Sequence, residues 1–488
     1  MKALRLGLWA VASLVVVLCA AVALRAATWS PPAWERPVRL APPVAIDGVA
    51  AARRLAAAIR FETISHQDGA LNRWDQWDGL HAWLAASYPR SHAAMTREAV
   101  AGRTLVYTWR GSQPALAPVV LMAHQDVVPV VPETRGAWTR APFSGDIADG
   151  AVWGRGALDD KGSLVALMEA VEALVARGFE PKRTVILVFG HDEEVGGGGA
   201  RAAAALLAQR GVKPLFVLDE GGLALTRDPV NGLPMAMIGV AEKGSATLEV
   251  VAHGDGGHAS MPPEQTAVHV LARAVDRIAS NQFEPRLEGP GADTLRTLLG
   301  RGPWLQRTLA ANEWLFGSLI ARQASGQPAA ASLLRTSIAP TMLSGSPKEN
   351  VLPDRAVALI NFRIHPRDSL DSVLHKVRRD LRDLPVEARW RDGAAGASPV
   401  APTDTRAWYL LAALAREATG APPTPGLLAG ATDGRAMGRL TPNVYRFLPV
   451  LLDPDELETF HGVNERLSIA NLDRAAEFYA RLILSAAG

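Results

Sequence analysis

Four short stretches concentrate carboxylates and imidazole directly after apolar runs. "LMAHQD" ends in His124 and Asp126, "GRGALDD" in Asp159 and Asp160, "VFGHDEE" in Glu193 and Glu194, and "LDEGG" carries Asp219 and Glu220. Adjacent carboxylates repel, and a carboxylate taken out of water is costly unless a cation or hydrogen bonds compensate it. Imidazole nitrogen with several carboxylate oxygens and no thiolate suits Zn²⁺, with Mn²⁺ or Co²⁺ as alternatives. The carboxylates outnumber what one tetrahedral ion takes, so two ions sharing a carboxylate would use them. His124 with Asp126 two residues on fits a metal ligand and the group that orients it. Singly, each stretch reads as a turn or a helix start with favourable N-terminal charge. Four of them at strand ends point together to a metal site.

The elements that must position these residues are legible in the flanking patterns. "APVVLMAHQD", "TVILVFG" and "PLFVLDEGG" read as strands with the continuous apolar run of a sheet covered on both faces. "GSLVALMEAVEALVARG" and "ARAAAALLAQRG" read as the helices between them. Strands alternating with helices predict a mostly parallel α/β sheet, in which ligands bind outside the carboxyl ends of the strands. From about residue 244 the texture changes: "ATLEVVAHG", "TSIAPTMLSG" and "AVALINFRIHP" predict a second sheet, with helices over 266–280 and 369–384. A leucine- and tryptophan-rich helical patch spans 295–320, read as helical core or as a site for an apolar acyl group. Near residue 402 the α/β texture resumes. The predicted division is 47–243 and 399–488 for the catalytic domain, with a smaller α+β domain, 244–398, inserted in it.

The ends and the composition add an address. Residues 6–24 are free of charge, with Lys2 and Arg5 before them and Arg25 after. That length suits a bilayer-spanning helix, and the positive flank keeps the N-terminus cytoplasmic and the bulk of the chain outside. Small residues over 23–27 leave a cleaved signal peptide as the alternative, with a secreted product. Residues 1–28 are therefore read as anchor or signal and the proline-rich 29–46 as an extended spacer. The single cysteine, Cys19, lies in the apolar segment, so disulfides contribute nothing beyond it. A chain of 488 residues with 48% hydrophobic and 20% charged residues is globular, and a net charge of +2 without a basic run gives no case for nucleic acid.

"LMAHQDVVPV", "WGRGALDDKGS", "GHDEEVGG" and "LDEGG" resemble the signature blocks of the aminoacylase and carboxypeptidase S family of dizinc exopeptidases, in matching order. The branch most similar is that of carboxypeptidase S and the secreted hydrolases of N-acyl amino acids. The resemblance implies two Zn²⁺ per chain, with His124 on one metal, Asp159 bridging through a cis bond to Asp160, and Glu194 on the other metal. It implies a further ligand at Glu220, with Asp219 the close alternative, and a last one at His461 in "ETFHGVNERLS". Glu193 becomes the general base, Asp126 the group orienting His124, and His258 in "GDGGHASMPPEQ" the donor to the oxyanion, through lid closure or across a homodimer. Arg435, Arg363 and Asn350 match positions that hold the substrate's carboxylate or reacting carbonyl, although Arg363 taken alone reads as a charge on an edge strand. The implied reaction is hydrolysis of an amide next to a free carboxylate, in a small peptide or, alternatively, in an N-acyl amino acid. A non-catalytic binding protein on the same fold would require loss of the base or a ligand, and every expected position is filled.

Overall fold

The computed structural model describes residues 2–488. It divides into two compact units. The larger holds Ala33–Val240, Val400–Gly426 and Thr432–Gly488; the smaller holds Ala241–Pro399 and Leu427–Ala431 together with the chain up to Pro32.

A ten-stranded mixed sheet forms the larger unit's core. Its centre is parallel, with Val185–Gly190, Val119–His124, Phe216–Asp219 and Val444–Arg446 side by side in that order. The first three are buried along their whole length, as expected where helices cover both faces. The flanks are mainly antiparallel, with one parallel pair, Ala224–Leu225 and Leu451–Leu452, at the far end. Thr96–Val100 and Thr104–Trp109 form a hairpin whose turn places Ala101 and Gly102 at positive φ. This hairpin closes through a short turn, whereas the parallel neighbours Val119–His124 and Val185–Gly190 are connected through helix Lys161–Ala176.

Strand alternation decides which side chains meet which helix. Val106, Val120, Met122, Ile186 and Val188 pack against Ala200, Ala203, Ala204 and Leu207 of helix Gly198–Gln209. Helix Lys161–Ala176 is buried on nearly every side and packs on the sheet and on Ile469–Ala487. The parallel strands end together, with His124 opposite Gly190, so the residues that follow them emerge at one edge.

Residues 29–47 form neither helix nor strand, in keeping with their prolines. From Ala33 on they are packed rather than free: Trp408 Nε1 donates to Trp34 O (2.7 Å), Ala41 N to Ser485 Oγ (2.9 Å) and Arg481 Nε to Ala41 O (3.0 Å). Extended backbone leaves its carbonyls unpaired, and these helix side chains satisfy them.

In the smaller unit, Ser337–Ser344, Arg355–Ile364, Gly244–His253 and Val386–Trp390 form an antiparallel sheet in that order. Alternate residues, among them Leu248, Val250, Ile360 and Phe362, face helices Ala267–Ser280 and Leu370–Asp380. Between the helix Ala267–Ser280 and the strand Ser337–Ser344 lie four short helices, Pro290–Arg301, Trp304–Ala311, Glu313–Ala324 and Pro328–Leu334. The N-terminal helix Lys2–Thr28 also belongs to this unit, and its Leu4–Thr28 stretch is long and apolar enough to cross a bilayer, with mean hydropathy 2.5.

Candidate metal centre

The strand Val119–His124 delivers His124 to the sheet edge, where the ring is buried. His124 Nε2 lies 2.9 Å from Asp159 Oδ1, and His461 Nε2 lies 3.1 Å from Asp159 Oδ2. One carboxylate therefore spans two imidazoles from distant loops, which is the arrangement a bridging ligand needs. The peptide bond Asp159–Asp160 is cis. Glu194 Oε1 sits 3.2 Å from His461 Nε2. Ligand atoms of His124, Glu193 and Glu194 cluster within 4.8 Å, as do those of Asp159, Glu194 and His461.

The acidic turn after "LVFG" is held by Asp126. Its Oδ1 and Oδ2 accept from the amides of Glu193 and Glu194 (both 3.1 Å), and Oδ2 also accepts from Ser65 Oγ at 2.7 Å. His124 Nδ1 is met by the backbone carbonyl of Asp126 at 2.9 Å, with the carboxylate further off at 3.5 Å. The residue orients His124 chiefly through its main chain, and its side chain fixes the two glutamates. His191 pairs with Thr104 Oγ1 (2.7 Å), and Asp192 accepts from Gly198 N and Gly199 N at the start of helix Gly198–Gln209. Both are structural partners of the turn. Gly197 has φ +64°, and a Cβ there would lie 2.4 Å from Asp433 Oδ1, so glycine is required twice over.

Asp219 and Glu220 diverge. Asp219 accepts from the amide of Gly434 and from Thr432, which commits its carboxylate to the segment carrying Arg435. Glu220 instead faces Asp159, Asp160, Asp219 and Glu193; burial and those negative neighbours hold its carboxyl well above the usual range. That contrast favours Glu220 over Asp219 as a ligand.

The donor set fits divalent cations. Asp160 Oδ1 and Asp433 Oδ2 are buried without a hydrogen-bond partner, and Glu194 Oε1 is buried with only the His461 ring beside it. Burial, chiefly, pushes Glu193 up to about 10, with Asp433, Glu194 and Asp126 adding to the push. Asp159 and Glu194 raise His461 to about 10. Burial alone would lower His124, but Asp126 and Asp159 hold it well above its ordinary value. Protons are retained here where a multivalent cation would otherwise balance the carboxylates.

Two residues outside the predicted set hold this arrangement. Glu465 is fully buried, and its Oε1 accepts from Gly156 N (3.0 Å), Leu158 N (2.9 Å) and Asp159 N (3.1 Å). Its Oε2 pairs with Arg155 Nη1 at 2.6 Å, and Arg155 Nη2 donates to His461 O (3.1 Å) and Gly462 O (3.0 Å). The pair ties the Asp159 loop to the His461 loop. The available signal was charge: Arg155 and Glu465 stand inside the blocks that carry Asp159 and His461. Lys161 of the same block is also buried, with its amine bonded to Ala58 O (3.2 Å) and Phe61 O (2.5 Å).

Of the remaining predicted residues, Arg435 lies in the larger unit on the short helix Gly434–Met437, and His258, Asn350 and Arg363 belong to the smaller one. His258 lies in a two-stranded ribbon opposite Val351, and Asn350 O accepts from Ala259 N at 3.1 Å. Ser260 N donates to His258 Nδ1 (3.1 Å), which leaves the ring proton on Nε2. Arg363 is exposed but sits on an inner strand, opposite Ser245 and Ser337, rather than on an edge.

Residues 120–485 match the model of the family described as peptidase family M20/M25/M40. The chain is 36% identical over 448 residues to probable carboxypeptidase S-like 2 of Dictyostelium discoideum, covering 90% of this chain and 85% of that protein. It is 34% identical over 437 residues to the N-fatty-acyl-amino acid synthase/hydrolase PM20D1 of Xenopus tropicalis, covering 88% and 84%. The fold is similar to that of an M20 family metallo-carboxypeptidase from Sulfolobus solfataricus, with TM-score 0.64 and 19% identity over 89% of this chain and 99% of that one. On the extent of the family match and these identities, the chain belongs to peptidase family M20/M25/M40.

Proposed function

We propose that this protein is a dizinc exopeptidase anchored by its N-terminal helix at the outer face of a membrane, removing a residue that bears a free carboxylate. Its class follows from family membership: the chain is a carboxypeptidase-type metallohydrolase. The proposal adds the number and identity of the ions, the residue roles and the location. The observation that carries it is the Asp159 carboxylate spanning His124 and His461, with Glu194 beside His461 and Glu193 beside His124.

His124, Asp159 and Glu220 would hold one Zn²⁺, and Asp159, Glu194 and His461 the other; Co²⁺ or Mn²⁺ suits the same donors. When bound, two cations would polarise the scissile carbonyl, acidify the attacking water and draw Glu193 down into the range of a working base. Glu193 takes the proton of the attacking water and delivers it to the leaving nitrogen. His258 Nε2 donates to the oxyanion. Arg435, Arg363 and Asn350 are assigned to the substrate's carboxylate and carbonyl, guanidinium being suited to bidentate carboxylate binding.

A second reading, hydrolysis of N-acyl amino acids, is favoured by the identity to the Xenopus relative. The test is to replace Glu193 with Gln in the zinc-loaded protein and assay dipeptides and N-acyl amino acids side by side. The proposal expects turnover of at least one class by the parent and its loss in the variant. Unchanged turnover in Glu193→Gln would remove Glu193 from the mechanism.

A further inference from the structure

Of the thirteen tryptophans, three are exposed, namely Trp9 in the N-terminal helix and Trp304 and Trp314 in the helical insert of the smaller unit. Beside the latter two, Leu305, Leu315 and Leu319 are 62%, 42% and 58% exposed. Isolated apolar side chains at a surface are ordinary, but large ones gathered on two consecutive short helices mark an interaction surface.

The same helices grip the end of the N-terminal helix. Arg25 Nε donates to Ala311 O (2.7 Å), and the buried Asn312 donates through Nδ2 to Val22 O (3.1 Å). Trp29 and Pro31 press on Gly300 so closely that a Cβ there would come within 2.6 Å of Pro31. Residues 22–31 are thereby fixed to the insert, while nearly every residue over 4–24 is exposed in a stretch of mean hydropathy 2.5. The insert therefore lies where such a helix would leave the bilayer. Tryptophan favours that depth, and short helices with one apolar face lie in the plane of the interface. Exposed Arg307 and Arg322 on the same two helices suit anionic headgroups.

We propose that the helical insert is an interfacial membrane-binding surface, seating Trp304, Leu305, Trp314, Leu315 and Leu319 in the outer leaflet beside the anchor. The inference goes beyond the proposed reaction and takes from that reading only the anchor. It fixes the smaller unit to the lipid surface, where substrates carrying an apolar acyl group would concentrate.

The test uses the full chain in vesicles of phosphatidylethanolamine and phosphatidylglycerol, with a spin label on native Cys19 or, in a Cys19→Ala background, on Leu305→Cys, Leu315→Cys, Leu319→Cys or the control Met261→Cys. Collision with oxygen and with a water-soluble nickel chelate reports depth, and retained hydrolysis shows that each variant is folded. The expected result is oxygen-dominated collision at 19, 305, 315 and 319 and chelate-dominated collision at 261. A lipid-exposed label at 19 with chelate-dominated labels at 305, 315 and 319 overturns the inference and leaves the anchor intact. Chelate-dominated labels at all positions overturn both. Labels at 315 and 319 shielded from both reagents and broadened by a neighbouring spin would place a second copy of the chain on this surface, and also overturn it.

Discussion

Replacing Glu465 with Gln probes how the centre is held together. The variant keeps one side-chain oxygen for the amides of Gly156, Leu158 and Asp159, but it sets an NH₂ against Arg155 Nη1, now 2.6 Å from a carboxylate oxygen. Arg155 is only 3% exposed, so its charge would be left buried and unpaired. Removing one partner of such a pair costs about 3–5 kcal/mol. Arg155 also carries the carbonyls of His461 and Gly462, so its displacement loosens a ligand loop. Disturbing groups that orient metal ligands typically weakens metal binding about 10–100-fold. Chemical denaturation measures the first effect, and competition with a chromophoric zinc chelator the second. Adding Arg155→Met removes the stranded charge and should recover part of the stability without recovering the zinc affinity. A Glu465→Gln protein matching the parent in both measurements would refute the claim that this pair couples the two loops.

Other outcomes follow from single features. Gly197→Ala places a Cβ at φ +64° and 2.4 Å from Asp433 Oδ1, so it should destabilise by more than the roughly 1 kcal/mol of a simple glycine effect, with lower turnover, in a denaturation and activity assay. Metal uptake should release protons, because burial pushes Glu193 up to about 10 and Asp159 and Glu194 raise His461 to about 10, while bound cations would draw Glu193 down and His461 would bind as the neutral ring; apparent affinity falls as pH falls. Calorimetry in two buffers of different ionisation enthalpy measures this, and equal heats would refute it. His365 is buried, accepts from Arg367 N at 3.2 Å, and is lowered to about 4 by burial and by Arg367 and Lys243, against an attraction from Asp368. The unfolded chain then binds the extra proton, so stability falls between about pH 6.5 and 4, by at most on the order of 3 kcal/mol. His365→Gln should flatten that part of the stability profile.

The buried parallel strands were legible because each combines a continuous apolar run with an acidic or histidine-bearing end. Burial on both faces suppresses alternation, and the strand's carboxyl end is where polar chemistry begins. His124, Glu193 and Glu194 could be singled out for the same reason, each standing at or just past a strand end, whereas Asp159 lies in the turn before helix Lys161–Ala176 and His461 was reached only through the resemblance of its block to the family. Long-range pairing was not legible. Arg155 and Glu465 are 310 positions apart, and nothing local marks them as partners. The side-chain role of Asp126 depends on amides 67 and 68 positions away. Residues 29–46 read as an extended spacer because prolines exclude regular structure, while the side chains that capture the carbonyls of Trp34 and Ala41 come from helices near the other end of the chain. Arg363 read as an edge charge because strand order is a tertiary property; its neighbours on both sides are set by pairing with Gly244–His253 and Ser337–Ser344.

In the proposed mechanism Asp159 is shared by two ions. Anomalous scattering at the zinc edge from crystals of the zinc-loaded protein tests it most directly. Two peaks are expected on either side of Asp159, one beside His124 and one beside His461, both diminished in Asp159→Asn. A single peak, or peaks away from Asp159, would contradict it.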